Sequence, residues 1–122
     1  MKFKLLTADE VIFRIEVEQD DIEVRENAMC SGSEEDDAEC ENDIIRRLNN
    51  GDVWAWANVH VIASMPTNDF TGDTYLGCCS YESEEDFKKD AYYTDMCNDA
   101  LKNLNDSLQK HFDFLMTRVS VE

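Results

Sequence analysis

The residues of this chain that could act as metal ligands or nucleophiles are Cys30, Cys40, Cys78, Cys79, Cys97, His60 and His111. Zinc sites usually take paired ligands two to four residues apart, and no two cysteines here have that spacing. Cys78 and Cys79 are adjacent, so in a strand their side chains point to opposite faces and cannot easily share one ion. We therefore expect no metal and interpret the cysteines as free thiols.

Enzymatic motifs are missing from the sequence. It contains no G-x-S-x-G, P-loop or H-E-x-x-H pattern, and its carboxylates are too numerous for one general acid and base to be singled out. A cysteine nucleophile served by His60 on a neighbouring strand is the one enzymatic alternative. We expect no catalytic residues, no cofactor and no enzymatic activity.

Carboxylates dominate the composition. The 122 residues include 28 Asp and Glu against 11 Lys and Arg, for a formal net charge of -17. Phosphate backbones and anionic membrane surfaces attract basic residues, so the charge argues against direct binding to nucleic acid or membranes. It favours a basic partner, with a merely solubilising role as the alternative.

Four aspartates repeat at helical spacing near the C-terminus, and we expect them to bind the partner. They are separated by four, seven and seven residues, which places Asp95, Asp99, Asp106 and Asp113 on one side of a helix. We call these four residues the aspartate stripe. An apolar seam follows the opposite side and consists of Cys97, Leu101, Leu104, Leu108, His111 and Leu115. The pattern predicts a long helix from about Asp90 to Thr117.

Two acidic runs are predicted to extend the charge of the stripe. The first is Glu34, Glu35, Asp36 and Asp37, and the second is Glu84, Glu85 and Asp86. Each follows a serine, Ser33 or Ser83, and resembles the start of a capped helix. Lys102 and Lys110 lie near the stripe and dilute its charge, and the alternative is that they pair with Asp99 and Asp106 as ordinary i,i+3 and i,i+4 ion pairs.

Alternation of apolar and polar residues predicts the strands. Val11 to Val17, Ile22 to Val24, Val53 to Met65 and Thr74 to Tyr81 show a period of two, and residues 1–6 are a candidate edge strand. With the helices this predicts one α+β domain over residues 1–122, in the order ββαββα. It would contain a mostly antiparallel sheet of four to five strands, two helices, and a long C-terminal helix.

Two apolar surfaces are candidate contacts. Trp54 and Trp56 share one strand face, opposite a smooth face of Ala and Val that we expect the helices to cover. The tryptophan face would then be half exposed, so either tryptophan is a candidate anchor for the partner. The apolar seam of the last helix is expected to pack on the sheet, and a homodimer through that helix is the alternative.

The sequence contains no apolar run of the roughly 20 residues that a bilayer crossing needs. Its first residues contain too few consecutive apolar positions to form a signal peptide. We therefore predict a cytoplasmic protein.

The stretch from Gly51 to about Leu104 resembles small uncharacterised proteins of tailed bacteriophages and prophages, through GDVWAWANVHV, YLGCCSYESEEDF and YYTDM. In size, charge and lack of enzyme motifs the chain is also similar to phage anti-restriction and anti-CRISPR proteins that imitate DNA. The resemblance implies an inhibitor in the bacterial host that binds a nucleic-acid-handling defence complex (CRISPR or restriction). The alternative is an accessory module for a small ligand or protein partner, with incidental acidity and a pocket between sheet and helix.

Overall fold

The computed structural model describes residues 3–28 and 34–119, with side chains from residue 36 onward in the second range. These ranges contain β1 (Ile12–Gln19), α1 (Glu34–Asn49), β2 (Ala57–Ser64), β3 (Thr71–Cys79), α2 (Glu84–Lys88) and α3 (Ala91–Met116). The strands form one antiparallel sheet in the order β1-β2-β3. The predicted α+β class and long C-terminal helix are confirmed. The described ranges hold three strands and three α-helices, and not four to five strands and two helices.

Alternation along the strands sorts the residues of the sheet into two faces. On the central strand β2, Ala57, Val59, Val61 and Ala63 have no exposed surface. The neighbouring even-numbered residues include Asn58 and His60, which keep partial exposure. The predicted Ala and Val face is therefore confirmed, and the even-numbered residues lie on the opposite face, which we call the outer sheet face.

The predicted strand from Ile22 to Val24 is wrong. Glu26 has a positive φ of 70°, and the backbone amides of Asn27 and Ala28 both donate to the carbonyl of Val24. This turn uses the Val24 carbonyl, which a strand would need for its ladder. An alternation only three residues long was too weak a signal to outweigh the turn.

The predicted strand from Val53 to Met65 is confirmed only from Ala57 onward. The Asp52 carboxylate accepts a hydrogen bond from the amide of Trp54 and caps a single 3-10 turn over Val53–Ala55. Residues 3–6 form no strand either, and Met1 and Lys2 lie outside the described residues. The cap at Asp52 therefore delays the start of β2.

The chain divides into two compact units. The first contains the described residues within Met1–Ile15, Val61–Thr74 and Thr94–Glu122. Here Gly72 lies directly on the α3 backbone, because a Cβ at this position would come within 2.1 Å of the Leu104 nitrogen. The buried Asn105 side chain accepts from the Leu6 amide at 2.9 Å and donates to the Leu6 carbonyl at 3.1 Å. These contacts fix α3 and the N-terminal segment within this unit.

The second unit contains the described residues of Glu16–His60 and Tyr75–Tyr93. One core cluster joins Val24, Ile44, Ala55 and Trp56. The Arg47 guanidinium binds the Asp52 carboxylate at 2.8 Å and the Tyr81 carbonyl at 2.6 Å, which ties the end of α1 to the chain after β3.

Two predicted helix boundaries are confirmed. Gly51 has φ +86° and follows α1, as expected for a left-handed C-terminal cap. The Ser83 hydroxyl accepts from the amide of Asp86 and begins α2. The first predicted cap, Ser33, lies outside the described residues.

In the part of the chain that the structure describes, no helix combines the length and the apolar composition that crossing a membrane requires.

Candidate functional site

The aspartate stripe lies on the exposed side of α3. All four aspartates are exposed. The buried side of the same helix carries Met96, Ala100, Leu104 and Leu108. At 100° per residue these two sets are about half a turn apart. The stripe therefore presents carboxylates to solvent along about 27 Å of helix.

Two of the stripe carboxylates have partners within the helix. Lys102 Nζ lies 2.9 Å from Asp106 Oδ2, whereas the sequence suggested Asp99 as its partner. The hydrogen bond to Asp106 and the charge of Asp99 raise the pKa of Lys102, so this lysine stays protonated. Gln109 Nε2 donates to Asp113 Oδ1 at 3.0 Å. The stripe therefore combines carboxylates with one paired cation.

The first acidic run lies at the start of α1. Asp36 is exposed and Asp37 is half-buried. The backbone of Glu34 and Glu35 belongs to α1, whereas their side chains lie outside the described residues. Asp36 and Asp37 belong to the second unit.

The second acidic run has a structural role in α2. Asp86 Oδ2 accepts from the amide of Glu82 at 3.0 Å, and the Asp86 amide donates to Ser83. Glu84 lies 3.7 Å from Lys88 in an ordinary helical ion pair. Glu85 is the exposed member of the run. Asp86 and Glu84 therefore cap and brace α2, and Glu85 adds charge to the surface.

The predicted exposure of the tryptophans is wrong for Trp56. Only 3% of Trp56 is exposed, and its indole N–H donates to the Ile22 carbonyl at 2.7 Å. Trp54 is half-buried and lies among aromatic rings, with its centroid 5.6 Å from Phe87 and 6.4 Å from Tyr81. Trp56 is a core residue, because it precedes β2 and does not follow the alternation of the sheet.

The apolar seam divides into a buried and an exposed part. Leu104 and Leu108 are buried, whereas His111 and Leu115 are exposed. The His111 ring lies 4.9 Å from Phe70. The helix also exposes Phe114 and Met116 near its end. The expected packing of the seam is confirmed for its middle part, and the homodimer stays a prediction.

The prediction of five free thiols is wrong for Cys40, which is disulfide-bonded. Cys78, Cys79 and Cys97 form no disulfide. Cys30 lies outside the described residues.

The adjacent thiols of β3 are poorly suited to nucleophilic catalysis. Burial, with the nearby Cys78, Asp20 and Asp90, raises the pKa of Cys79 to about 11. Desolvation and the Asp20 carboxylate also raise the pKa of Cys78. Since the thiolate is the reactive form, both side chains hold little of it at neutral pH.

A cavity of about 590 Å³ lies in the second unit, between α1 and the end of β3. Its lining includes Arg47, Trp56, Cys78 and Glu82. It combines an aromatic ring with groups of both charges, which suits a small polar ligand. The sequence predicted a pocket between sheet and helix only as an alternative.

The outer sheet face carries a second concave site that the sequence did not reveal. The rings of His60 on β2 and Tyr75 on β3 stack with their centroids 3.9 Å apart and their planes 7° apart. His60 Nδ1 lies 3.7 Å from Glu16 Oε2 on β1. Finding this cluster requires the register of three strands, since its members lie far apart in the sequence.

Comparison of the chain with known protein families, with curated proteins and with solved structures finds no match.

Proposed function

We propose that this chain is a phage-type inhibitor that binds a basic, nucleic-acid-handling defence complex of the bacterial host, of the CRISPR or restriction class. The aspartate stripe would occupy the cationic cleft that normally holds nucleic acid. The observation that carries this proposal is the exposure of all four stripe aspartates on the side of α3 opposite its buried face.

The spacing of the stripe suits a cleft built for phosphates. Successive stripe residues rise by about 6, 10.5 and 10.5 Å along the helix. Phosphates on one DNA strand rise by about 3.4 Å each, so the two longer steps match about three phosphates. Lysines and arginines that contact every third phosphate would therefore meet carboxylates at a similar repeat.

The charge of the whole chain supports the same proposal. A net charge of -17 attracts a basic partner from a distance and speeds its association. Exposed charges are screened over about 10 Å at 0.1 M salt, so binding should weaken steeply as salt is added.

A capture experiment tests this proposal. The immobilised protein is exposed to host lysate, bound proteins are eluted with a salt gradient, and the same is done with a variant whose four stripe aspartates are replaced by lysine. We expect nucleic-acid-binding proteins to elute from the wild type at moderate salt and to be missing from the variant. A second variant with asparagine at the same positions removes charge without adding lysines next to Lys102.

A matched control separates the stripe from total charge. Asp21, Glu23, Glu39 and Asp69 are exposed and lie outside α3. Replacing these four by lysine moves the net charge from -17 to -9, the same change as in the stripe variant, because each replacement adds two positive charges. The control should retain most of the captured partner. Equal loss of the captured partner from both variants would show that the stripe acts only through the total negative charge of the chain. Unchanged capture by the stripe variant would refute the proposal.

The cavity between α1 and β3 favours a second candidate function, a module that binds a small ligand. Its volume of about 590 Å³ falls in the range of ligand pockets. Binding there should be insensitive to salt and should change the fluorescence of Trp56. Screening metabolites by that fluorescence, with Arg47→Met as the variant that should lose the signal, tests this candidate.

A further inference from the structure

We infer that the outer sheet face holds a recognition site for the guanidinium of an arginine side chain, centred on Tyr75 and His60. The identification of that arginine as one from the basic partner rests on the proposed function.

Three strands contribute to the site. Glu16 and Glu18 come from β1, Asn58 and His60 from the central β2, and Tyr75 from β3. Together with Val17 they line a concave space of about 360 Å³. All of these residues belong to the second unit. The floor of the site is therefore a sheet, which holds its side chains in a fixed register.

The Tyr75 ring is held in place and yet exposed. Parallel stacking on His60 fixes the orientation of the ring. The His60 side chain is only 18% exposed, whereas Tyr75 leaves 60% of its surface to solvent. An aromatic ring that is ordered and mostly exposed offers a contact surface at little entropic cost.

Carboxylates line the same concave space as this ring and come from β1, on the far side of His60. Glu16 is next to His60, with its side chain 56% exposed, and Glu18 lies two residues further along β1. The Asn58 side chain adds an amide on the central strand. The site therefore combines one aromatic surface with hydrogen-bond acceptors of negative charge.

A guanidinium matches both features. It is planar and stacks on aromatic rings, and its N–H groups lie at its edge, where they donate to carboxylates. A lysine ammonium matches the charge and lacks the flat face. The base of a nucleotide would also stack on the ring, but the phosphate of that nucleotide would be repelled by the carboxylates. The described residues hold no cluster of three or more side chains suited to a metal ion.

A structural role for the ring pair is the competing explanation. Cross-strand aromatic pairs stabilise sheets by themselves. In that case Tyr75 would contribute to the stability of the fold, and arginine would bind no better than lysine.

Nuclear magnetic resonance distinguishes these explanations. The full chain is titrated with N-acetyl-arginine amide and, separately, with N-acetyl-lysine amide at constant ionic strength. We expect arginine to shift the ring signals of Tyr75 and His60 in a saturable way, with an affinity about threefold or more above that of lysine. Equal shifts from the two probes, or arginine shifts confined to α3, would overturn the inference.

Variants make the assignment specific. Tyr75→Leu and Glu18→Gln should each weaken the arginine affinity about threefold, and Tyr75→Phe should retain it because the ring remains. Tyr92→Leu is the matched control, since Tyr92 is 56% exposed but lies in α3. If Tyr75→Leu does not fold, Glu18→Gln and Tyr75→Phe still decide the matter. An unchanged affinity in Glu18→Gln, or a lost affinity in Tyr75→Phe, would contradict the proposed site.

The failure of this inference is distinguishable from the failure of the proposed function. The amide titration needs no host partner. If arginine amide binds and no nucleic-acid-binding protein is captured, the site stands and the inhibitor proposal fails. If the partner is captured and arginine amide does not bind, the inhibitor proposal stands and the site is lost.

Discussion

The exposed side of α3 and the outer sheet face are both acidic, but they present their carboxylates in different ways. On α3 the four stripe aspartates follow one helix at intervals of one or two turns, and Asp106 and Asp113 pair with Lys102 and Gln109 of the same helix. On the sheet, Glu16 and Glu18 lie beside two stacked rings supplied by two further strands. A row of charges on one helix provides electrostatic attraction but no concave contact surface, whereas three strands in register provide a concave site with fixed side chains.

This difference gives the two surfaces different expected roles. The stripe should govern the rate and the salt dependence of association, because those depend on charge at a distance. The site around Tyr75 and His60, which we call the ring site, should govern which side chain of the partner is preferred, because that preference depends on contact geometry.

The largest effect is expected from Gly72→Ala. A Cβ at this position would lie 2.1 Å from the Leu104 nitrogen and 2.3 Å from the Ala100 carbonyl oxygen, and neither backbone atom is able to rotate away. We expect a loss of about 3 kcal/mol or more in the free energy of unfolding. Urea denaturation measures this loss. An unchanged midpoint would mean that α3 does not depend on this close approach, and that the stripe is held differently.

A smaller effect is expected from Asn105→Ala on the buried side of α3. The substitution removes both hydrogen bonds to the Leu6 backbone. We expect a loss of about 2 kcal/mol in the free energy of unfolding and faster amide exchange at Leu6. Asp106→Ala is the neighbouring control on the exposed side and should leave the Leu6 amide protected. Equal exchange in both variants would argue against Asn105 as the anchor of the N-terminal segment.

Raising the pH should weaken the end of β3, the strand that carries Tyr75. Burial favours the neutral thiol of Cys79, so its pKa is raised from 9.0 to about 11 in the folded protein. The resulting stability is fully present below pH 9 and is lost as the pH rises towards 11. We expect the free energy of unfolding to fall by about 1 kcal/mol between pH 7 and pH 9.5 from this group.

Cys79→Ala isolates this contribution. Its free energy of unfolding should fall less over the same pH range than that of the wild type, whatever the other groups contribute. Parallel curves for the two proteins would show that Cys79 does not titrate in this way.

The smallest effect on stability is expected from Lys102→Gln. This lysine is exposed and pairs with Asp106, and such surface pairs add little to stability. The substitution leaves the melting temperature nearly unchanged and releases Asp106 to the stripe. We expect about twofold tighter binding to the basic partner, with a steeper salt dependence. Weaker binding would show that Lys102 contacts the partner itself.

The sequence predicted the elements whose signals are long. The stripe and the seam of α3 repeat over several turns, and β2 alternates over eight residues, so chance patterns are unlikely to imitate them. The caps at Ser83 and Gly51 were also predictable, because each depends on one residue type with a specific geometry.

Features set by contacts between distant residues were not predictable. The burial of Trp56 depends on the Ile22 carbonyl, and the ring site depends on strands that bring Glu16, His60 and Tyr75 side by side. Neither arrangement leaves a local pattern in the sequence. The disulfide at Cys40 likewise has no motif that distinguishes it from a free thiol.

The central claim is that this protein takes the place of nucleic acid in a cationic cleft, and a competition measurement tests it most directly. A fluorescent duplex is bound to the captured host partner, and its anisotropy is followed as the protein is added. We predict that the wild type and the Asp21, Glu23, Glu39 and Asp69 control variant release the duplex, and that the variant with lysine in the aspartate stripe does not. A ternary complex, in which the protein binds the partner while the duplex stays in place, would contradict the claim.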